Sequence, residues 1–390
     1  MNTEKETIRL YDEDGYATEF SGTVLSCEKA VSSDSDYYEV ILDQTLFFPE
    51  EGGQSPDKGT LGGAEVLDVQ IKSGIITHTL SASLQVGDKV DGQINWKHRF
   101  SNMQQHSGEH IFSGLVHKKF GFDNVGFHLS DQIVTMDFNG VLSAEDIADI
   151  EYEVNEAIAR NVDIIVSFPS KEELTDMEYR SKIEIDGQVR IVTVTGYDVC
   201  ACCAPHVRKT GEIGGLKVMS VQNYKGGVRV SILCGFRMLE AFREKSKIIN
   251  DLTNFLTTGQ ENLVDTVTKL KNNNQTLSSQ LASAKQALLE QKLSDIPASE
   301  KDVIIFENGI DTKIVRNVIN KLMEEHDGIC ALFVGDDSSG YNYVIGSKTV
   351  DCKEIANCLR EKLGAKGGGN SQMIQGSVNA AQDAITECLN

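Results

Sequence analysis

The chain of 390 residues has no run of 18 or more apolar residues, and its opening segment, Met1 to Leu10, lacks the basic-then-apolar layout of a signal peptide. Neither a membrane association nor export is expected, and cytoplasmic residence is the default. Positive charge is also scarce: 37 Lys and Arg stand against 58 Asp and Glu, a formal net charge of −21. This balance argues against broad, nonspecific adhesion to nucleic acid, whose phosphates are bound through Lys and Arg. A secreted-type disulfide framework is not indicated either. The nine cysteines are odd in number and three crowd together at Cys200, Cys202 and Cys203, which suits a reducing compartment and metal binding.

What is present is a length and a 40% hydrophobic content sufficient for two or three domains, each with its own core. The expected class is α+β. Residues 1–90 read as short β segments divided by turns, at Gly22–Leu25, Tyr38–Leu42, Ala64–Val69 and Gly74–Thr77, the pattern of a small β-barrel. Residues 91–235 read as helices on a largely antiparallel sheet. One helix is expected over Asn102–Lys119 and a second over Ser143–Arg160, where Ser143 precedes Asp146 by three residues in a capping pattern. Strands are expected at Val162–Phe168, Arg190–Thr195 and Leu216–Gln222.

Residues 236–298 change character. Leu256, Leu263, Leu270, Leu277 and Ala284 recur every seven residues, with Val267, Leu281 and Leu288 four after their partners and Asn274 on the second seam position. This reads as a coiled-coil seam or a long helical hairpin, with Gly259 a place for a break. Residues 299–390 read as a small α/β domain that ends in a glycine-rich loop, Gly364–Gly376. Such a loop, with Lys366 inside it, can bring bare backbone N–H groups against a phosphate, or can simply turn the chain.

The strongest local signal is a pair of pairs. His106 and His110 are four residues apart, so on a helix they project from one face; Cys202 and His206 repeat the spacing. Three imidazoles and a thiolate make a tetrahedral set typical of zinc. Asp198 is a candidate for orienting a ligand histidine from behind. Around the second pair the charge reverses: from Arg190 to Arg229 six basic residues (Arg190, Arg208, Lys209, Lys217, Lys225, Arg229) stand against Asp198 and Glu212. Rival readings are buried structural histidines beside a redox cysteine cluster, and an inverzincin metalloprotease in which Glu109 of His106-x-x-Glu109-His110 is the base.

Four blocks resemble the free-standing alanyl-tRNA editing proteins and the editing domain of alanyl-tRNA synthetase: Phe47–Thr60 (FFPEEGGQSPDKGT), Met103–Ile111 (MQQHSGEHI), Cys202–Gly214 (CCAPHVRKTGEIG) and Gly364–Gly376 (GAKGGGNSQMIQG). The last is similar to the glycine motif of the C-terminal domain shared with DHH-type phosphoesterases, which marks the long form; no Asp-His-His core accompanies it. The resemblance implies zinc on His106, His110, Cys202 and His206. It implies hydrolysis of the ester joining serine, and after it glycine, to tRNA(Ala). Gln105, Ser107 and Glu109 become candidate catalytic residues, and Arg208, Lys209, Lys366, Gly367, Gly368 and Gly369 candidate tRNA contacts. Pairing of two chains through the helical or C-terminal region is the protein partnership to expect. A zinc-stabilised tRNA-binding protein without hydrolytic activity is the alternative. The family commonly has Cys-Gly-Gly-Thr-His where this chain has Cys202-Cys203-Ala204-Pro205-His206, so the contacts of this loop are where a departure is expected.

Overall fold

The structure, a computed structural model, describes residues 6–31, 36–181, 188–297, 299–310 and 312–389. Half of the opening segment Met1 to Leu10, residues 1–5, therefore lies outside the described residues. Two compact units emerge, Met1–Ile249 and Asn250–Asn390. Among the described residues no helix is long and apolar enough to cross a membrane.

In the first unit, six strands close into a barrel: β1 (Glu19–Val31), β2 (Asp36–Leu42), β3 (Gly59–Leu61), β4 (Ala64–Lys72), β5 (Ile75–Leu80) and β6 (Lys89–Ile94), in the order β1-β2-β5-β4-β3-β6. Their sequences alternate with the strand period of two. In β5, Ile76, His78 and Leu80 are buried and the residues between them are only partly so. Val40, Leu42, Phe47, Phe48, Leu61 and Val69 fill the barrel.

Helix α1 (Trp96–Phe120) begins six residues before the expected start. Asn95 caps it by accepting from the His98 N–H at 3.2 Å, and Gly121 ends it in the left-handed region with φ 69°. Every residue from Asn102 to Val116 is buried, so this helix runs through the interior with polar side chains on all faces. It packs with α2 (Ala144–Arg160) and with the four-stranded sheet formed by β7 (Asn124–Leu129), β8 (Val134–Phe138), β12 (Leu216–Tyr224) and β13 (Gly227–Cys234). Three more strands, β9 (Ile164–Ser167), β10 (Ile191–Val194) and β11 (Asp198–Ala201), form an antiparallel sheet beside it. The capping pattern at Ser143 is realised: its Oγ accepts from the Asp146 N–H, and the Asp146 carboxylate accepts from the Ser143 N–H. Helix α3 (Gly235–Leu256) follows.

The second unit holds α4 (Leu263–Ser294) and a five-stranded sheet. The seven-residue repeat is not continuous. Leu256 ends α3, Thr257 has φ 52°, and a short 3-10 turn at Gln260–Asn262 precedes α4, so the break expected at Gly259 separates Leu256 from the rest of the seam. Within α4 the residues that pack are Leu289 and Leu293, whereas Leu270, Leu277, Leu281 and Leu288 remain exposed. The sheet runs β14 (Val303–Glu307), β15 (Cys330–Asp336), β16 (Gly340–Gly346), β18 (Met373–Val378) and β17 (Lys366–Gly369) in spatial order, with only the first pair parallel. Alternate residues of β15 face opposite layers. Ala331 and Phe333 pack with α6 (Cys352–Leu363) and α7 (Gln382–Leu389), while Cys330 and Leu332 pack with α5 (Thr312–Glu325) and the end of α4.

The glycine-rich segment is not the open loop expected. Lys366–Gly369 is an edge strand in antiparallel register with β18, Gly367 opposite Gly376 and Gly369 opposite Ile374. A Cβ on Gly369 would stand 2.2 Å from the Met373 carbonyl oxygen, so closeness of two strands, rather than a phosphate cradle, accounts for this glycine.

Candidate metal centre

His106 and His110 project from one face of α1, one turn apart. Cys202 and His206 arrive on the segment after β11. One ligand atom from each of the four lies within 4.8 Å of the others. Cys202 Sγ is 3.5 Å from His106 Nε2 and 3.3 Å from His206 Nε2. A set of this size and composition fits a metal ion.

Each imidazole is held from behind through Nδ1. His106 Nδ1 donates to Gln54 Oε1 at 2.8 Å, His110 Nδ1 donates to Asp198 Oδ2 at 2.8 Å, and His206 Nδ1 lies 3.1 Å from Ser107 Oγ. These contacts turn each ring's Nε2 inward, the atom that can bind a metal once it carries no proton. The outer partners are themselves fixed. Arg180 grips Asp198 through Nε at 2.7 Å and Nη2 at 2.9 Å, and Ser107 Oγ accepts from the Val207 N–H at 3.2 Å. Gln54 sits on the Phe47–Thr60 loop, which β7 pins in place: Leu129 N–H donates to the Gly53 carbonyl at 2.7 Å, and Ser55 N–H donates to the Leu129 carbonyl at 2.9 Å. Gly53 has φ 84°, and a Cβ there would stand 2.3 Å from the Phe127 carbonyl oxygen, so the loop needs glycine to lie this close. Gly114 serves the same end on α1: a Cβ would meet Tyr197 O at 2.5 Å and push away the strand that delivers Asp198.

Electrostatics follow the same geometry. Burial works against ionisation of Cys202, but the His106 imidazole and the contacts from His106 and His110 outweigh it and hold the thiol well below its ordinary value. Burial lowers His206 to about 3, which keeps it neutral. Burial also opposes a proton on His110, yet the Asp198 and Cys202 contacts push that residue up to about 10. That proton is the one an entering cation would displace. Burial pushes the neighbouring Cys200 and Cys203 thiols up, so Cys202 is the thiolate of the cluster. Asp198 and Cys200 also lie near His110 as a second possible ligand group. Asp198, however, already accepts from His110 and Arg180, so it acts as an orienting group.

The cluster stands at a cleft of about 1090 Å³, lined also by Glu51, Gly52, Gly53, Phe127, Arg190 and Cys203. Among the candidate catalytic residues, Glu109 lines this cleft, with Oε1 accepting from Ser113 Oγ at 2.7 Å and Asn124 Nδ2 at 2.6 Å. Ser107 supports His206. Gln105 points elsewhere: its amide exchanges hydrogen bonds with the backbone of Cys234, 2.7 Å and 2.9 Å, because it lies on the face of α1 that meets β13. Arg208 and Lys209 are exposed and paired, Arg208 with Asp14 and over the Tyr16 ring, Lys209 with Asp163. The Cys203–Pro205 departure also has a place. Ala204 and Pro205 are buried and Ala204 joins the barrel core, while Arg190 Nη1 donates to the Cys202 and Ala204 carbonyls at 2.8 Å and 2.9 Å. Only Cys203 of the three lines the cleft.

The sequence reading missed Gln54 and Arg180 as outer partners. It also missed the pair Arg99 and Asp57, both 0% exposed, whose charges join α1 to the Phe47–Thr60 loop. Arg99 donates further to the Gly15 carbonyl at 2.9 Å and the Leu46 carbonyl at 2.6 Å. Gln54 and Asp57 both lie in the first resemblance block, which was the one available signal.

Residues 3–98 match the class II (A) tRNA synthetase family, and residues 189–231 match the threonyl and alanyl tRNA synthetase second additional domain. The second match contains Cys202 and His206; His106 and His110 lie between the two. The alanyl-tRNA editing protein Aarsd1 of Rattus norvegicus is 28% identical over 385 residues, 94% of this chain and 93% of that protein. The alanyl-tRNA editing protein AlaX-L of Pyrococcus horikoshii is 25% identical over 400 residues, covering 97% and 96%. The alanine–tRNA ligase of Ignicoccus hospitalis is 29% identical over 397 residues, 98% of this chain and 42% of the ligase. Along nearly its whole length, then, this chain is a homologue of the alanyl-tRNA editing proteins.

Proposed function

We propose that the chain is a trans-editing aminoacyl-tRNA deacylase that removes serine, and secondarily glycine, from mischarged tRNA(Ala). The observation that carries this reading is the convergence of His106, His110, Cys202 and His206 at the cleft beside the Glu51–Gly53 loop, in a homologue of editing proteins. A synthetase pocket made for alanine rejects an added hydroxyl by only ~10²-fold, whereas a site that hydrogen-bonds the hydroxyl can reject its absence by ~10⁴-fold or more. A separate editor supplies that second discrimination.

In this reading His106, His110, Cys202 and His206 hold zinc, and Gln54, Asp198 and Ser107 aim the three imidazoles. Zinc bound there would supply Lewis-acid polarisation of an ester carbonyl or activation of water near neutral pH. Glu109, on the cleft wall, is the side chain we assign to contact substrate or water. Gly52, on the cleft wall, is assigned to lie against the 3′-terminal nucleotide. Arg208 and Lys209 are assigned to tRNA phosphates, each exchanging its present carboxylate partner, and the exposed edge strand Lys366–Gly369 to the tRNA body. Residues 1–90 and 91–235 would then form the barrel and the editing domain, 236–298 the helical linker, and 299–390 a second tRNA-binding domain that raises effective concentration at the first.

One feature favours the second reading, a metal-stabilised tRNA binder. Four protein ligands make a closed site, and closed zinc sites are mostly structural. Incubation with Ser-tRNA(Ala), Gly-tRNA(Ala) and Ala-tRNA(Ala) separates the two. Selective loss of serine supports editing; retention of every ester with tight binding supports the binder. Cys202→Ala tests the site itself: full deacylation without bound zinc removes zinc from the reaction.

A further inference from the structure

We propose that Cys358 and Cys388 are a modification site, forming a reversible disulfide that fastens the C-terminal helix to its neighbour. Cys358 lies on α6 and Cys388 near the end of α7, thirty residues later. Their sulfurs are 3.0 Å apart, and Cys358 Sγ also lies 3.4 Å from the Cys388 carbonyl oxygen. That separation is well inside ordinary contact and short of only about 1 Å from a covalent S–S bond of about 2.05 Å. Both residues are half-buried, so a small reagent can reach them. Helix α7 is eight residues long, a length with little stability of its own. Its anchors are Ile385, fully buried, the partly buried Cys388 and Leu389, and the Gln382 N–H donated to Asp337 Oδ1 at 2.9 Å. A bond at Cys388 would add a covalent anchor at the far end. The loop it closes contains the whole β17–β18 hairpin.

The oxidant required is a low-molecular-weight disulfide such as oxidised glutathione. The Cys358 thiolate attacks one of its sulfurs and releases one small thiol. The Cys388 thiol loses its proton to solvent and attacks the Cys358 sulfur of the mixed disulfide, releasing the second. The protein loses two protons and two electrons, and the reagent gains them as two thiols. Burial and the adjacent Cys358 sulfur push Cys388 up to about 11, which disfavours Cys388 as the first attacking thiolate.

The test uses the full chain, reduced and then exposed to oxidised glutathione without denaturant. Non-reducing peptide mapping should find Cys358 and Cys388 in one cross-linked peptide that dithiothreitol returns to two thiols. Amide exchange across Gln382–Leu389 should slow on oxidation, and this change should be absent from C358S/C388S. Separate glutathione adducts on the two cysteines without a cross-link would overturn the proposal, as would a cross-link that forms only in denaturant. Because oxidised and reduced wild type are compared directly, the result does not depend on how well the variant folds.

Discussion

Asp57 and Arg99 form an ion pair with neither side chain exposed to solvent. The guanidinium spends its remaining donors on the Gly15 and Leu46 carbonyls, and Asp57 Oδ2 also accepts the Phe48 N–H at 2.7 Å. Breaking a buried pair by removing one partner costs about 3–5 kcal/mol, because a charge is left without compensation. Arg99→Met should therefore lower unfolding free energy by that amount in urea titration. Adding Asp57→Asn should recover part of it. A loss under 1 kcal/mol for the single variant would contradict the account.

His78 gives the barrel a pH dependence of known sign. Its Nδ1–H donates to the Val40 carbonyl at 3.1 Å, its Nε2 accepts from Thr45 Oγ1 at 2.9 Å, and burial lowers it from 6.5 to about 4. The unfolded chain protonates this residue first as pH falls. Its contribution is thus fully present above about pH 6.5 and is lost as pH drops towards 4. The window corresponds to about 3 kcal/mol. Unfolding free energies of wild type and His78→Gln, compared from pH 7 to 4, should converge by that margin.

The outer partners should govern metal affinity without contributing a ligand atom. Removing one such partner typically costs 10–100-fold. Gln54→Ala and Asp198→Asn should each weaken metal binding within that range in competition with a chromogenic chelator. Gln105→Ala, at a side chain whose amide bonds the backbone of Ser101 and Cys234 and not the cluster, should leave affinity unchanged while reducing stability. Equal affinities in all three would show that the imidazoles need no orientation from behind.

Ser143→Ala tests a part of the fold remote from the cleft. It deletes a reciprocal cap at the start of α2 and should cost about 1 kcal/mol in unfolding, with no effect on metal content or deacylation.

The site was legible in the sequence to the extent that it repeats a spacing. His106 and His110 share a helix face, and Cys202 and His206 repeat the interval, so the four-residue cluster could be read from short-range geometry. Asp198 was also within reach, four residues before Cys202. Gln54 and Arg180 were not, because nothing in local periodicity ties residue 54 to residue 106 or residue 180 to residue 198. Only tertiary pairing does. Helix α1 shows the same limit from another side. Its interior run is buried on all faces, so the amphipathic stripe that marks α2 is absent, and its start at Trp96 was hidden. Glycine density misled at Gly364–Gly376, where composition suggested a loop and the backbone forms a paired edge strand. Strands β7, β8 and β13 escaped although Gly121, Asn139-Gly140, Gly226 and Gly235 punctuate the sequence around them.

The three imidazoles are aimed from three directions: His106 by the barrel loop, His110 by β11 and His206 by α1 itself. No one of these supports is close in sequence to the other two. The centre therefore works as a coincidence device, complete only when barrel, helix and strand are in register together. A chain with one of them misplaced would keep all four residues in its sequence and still hold a metal ion less tightly.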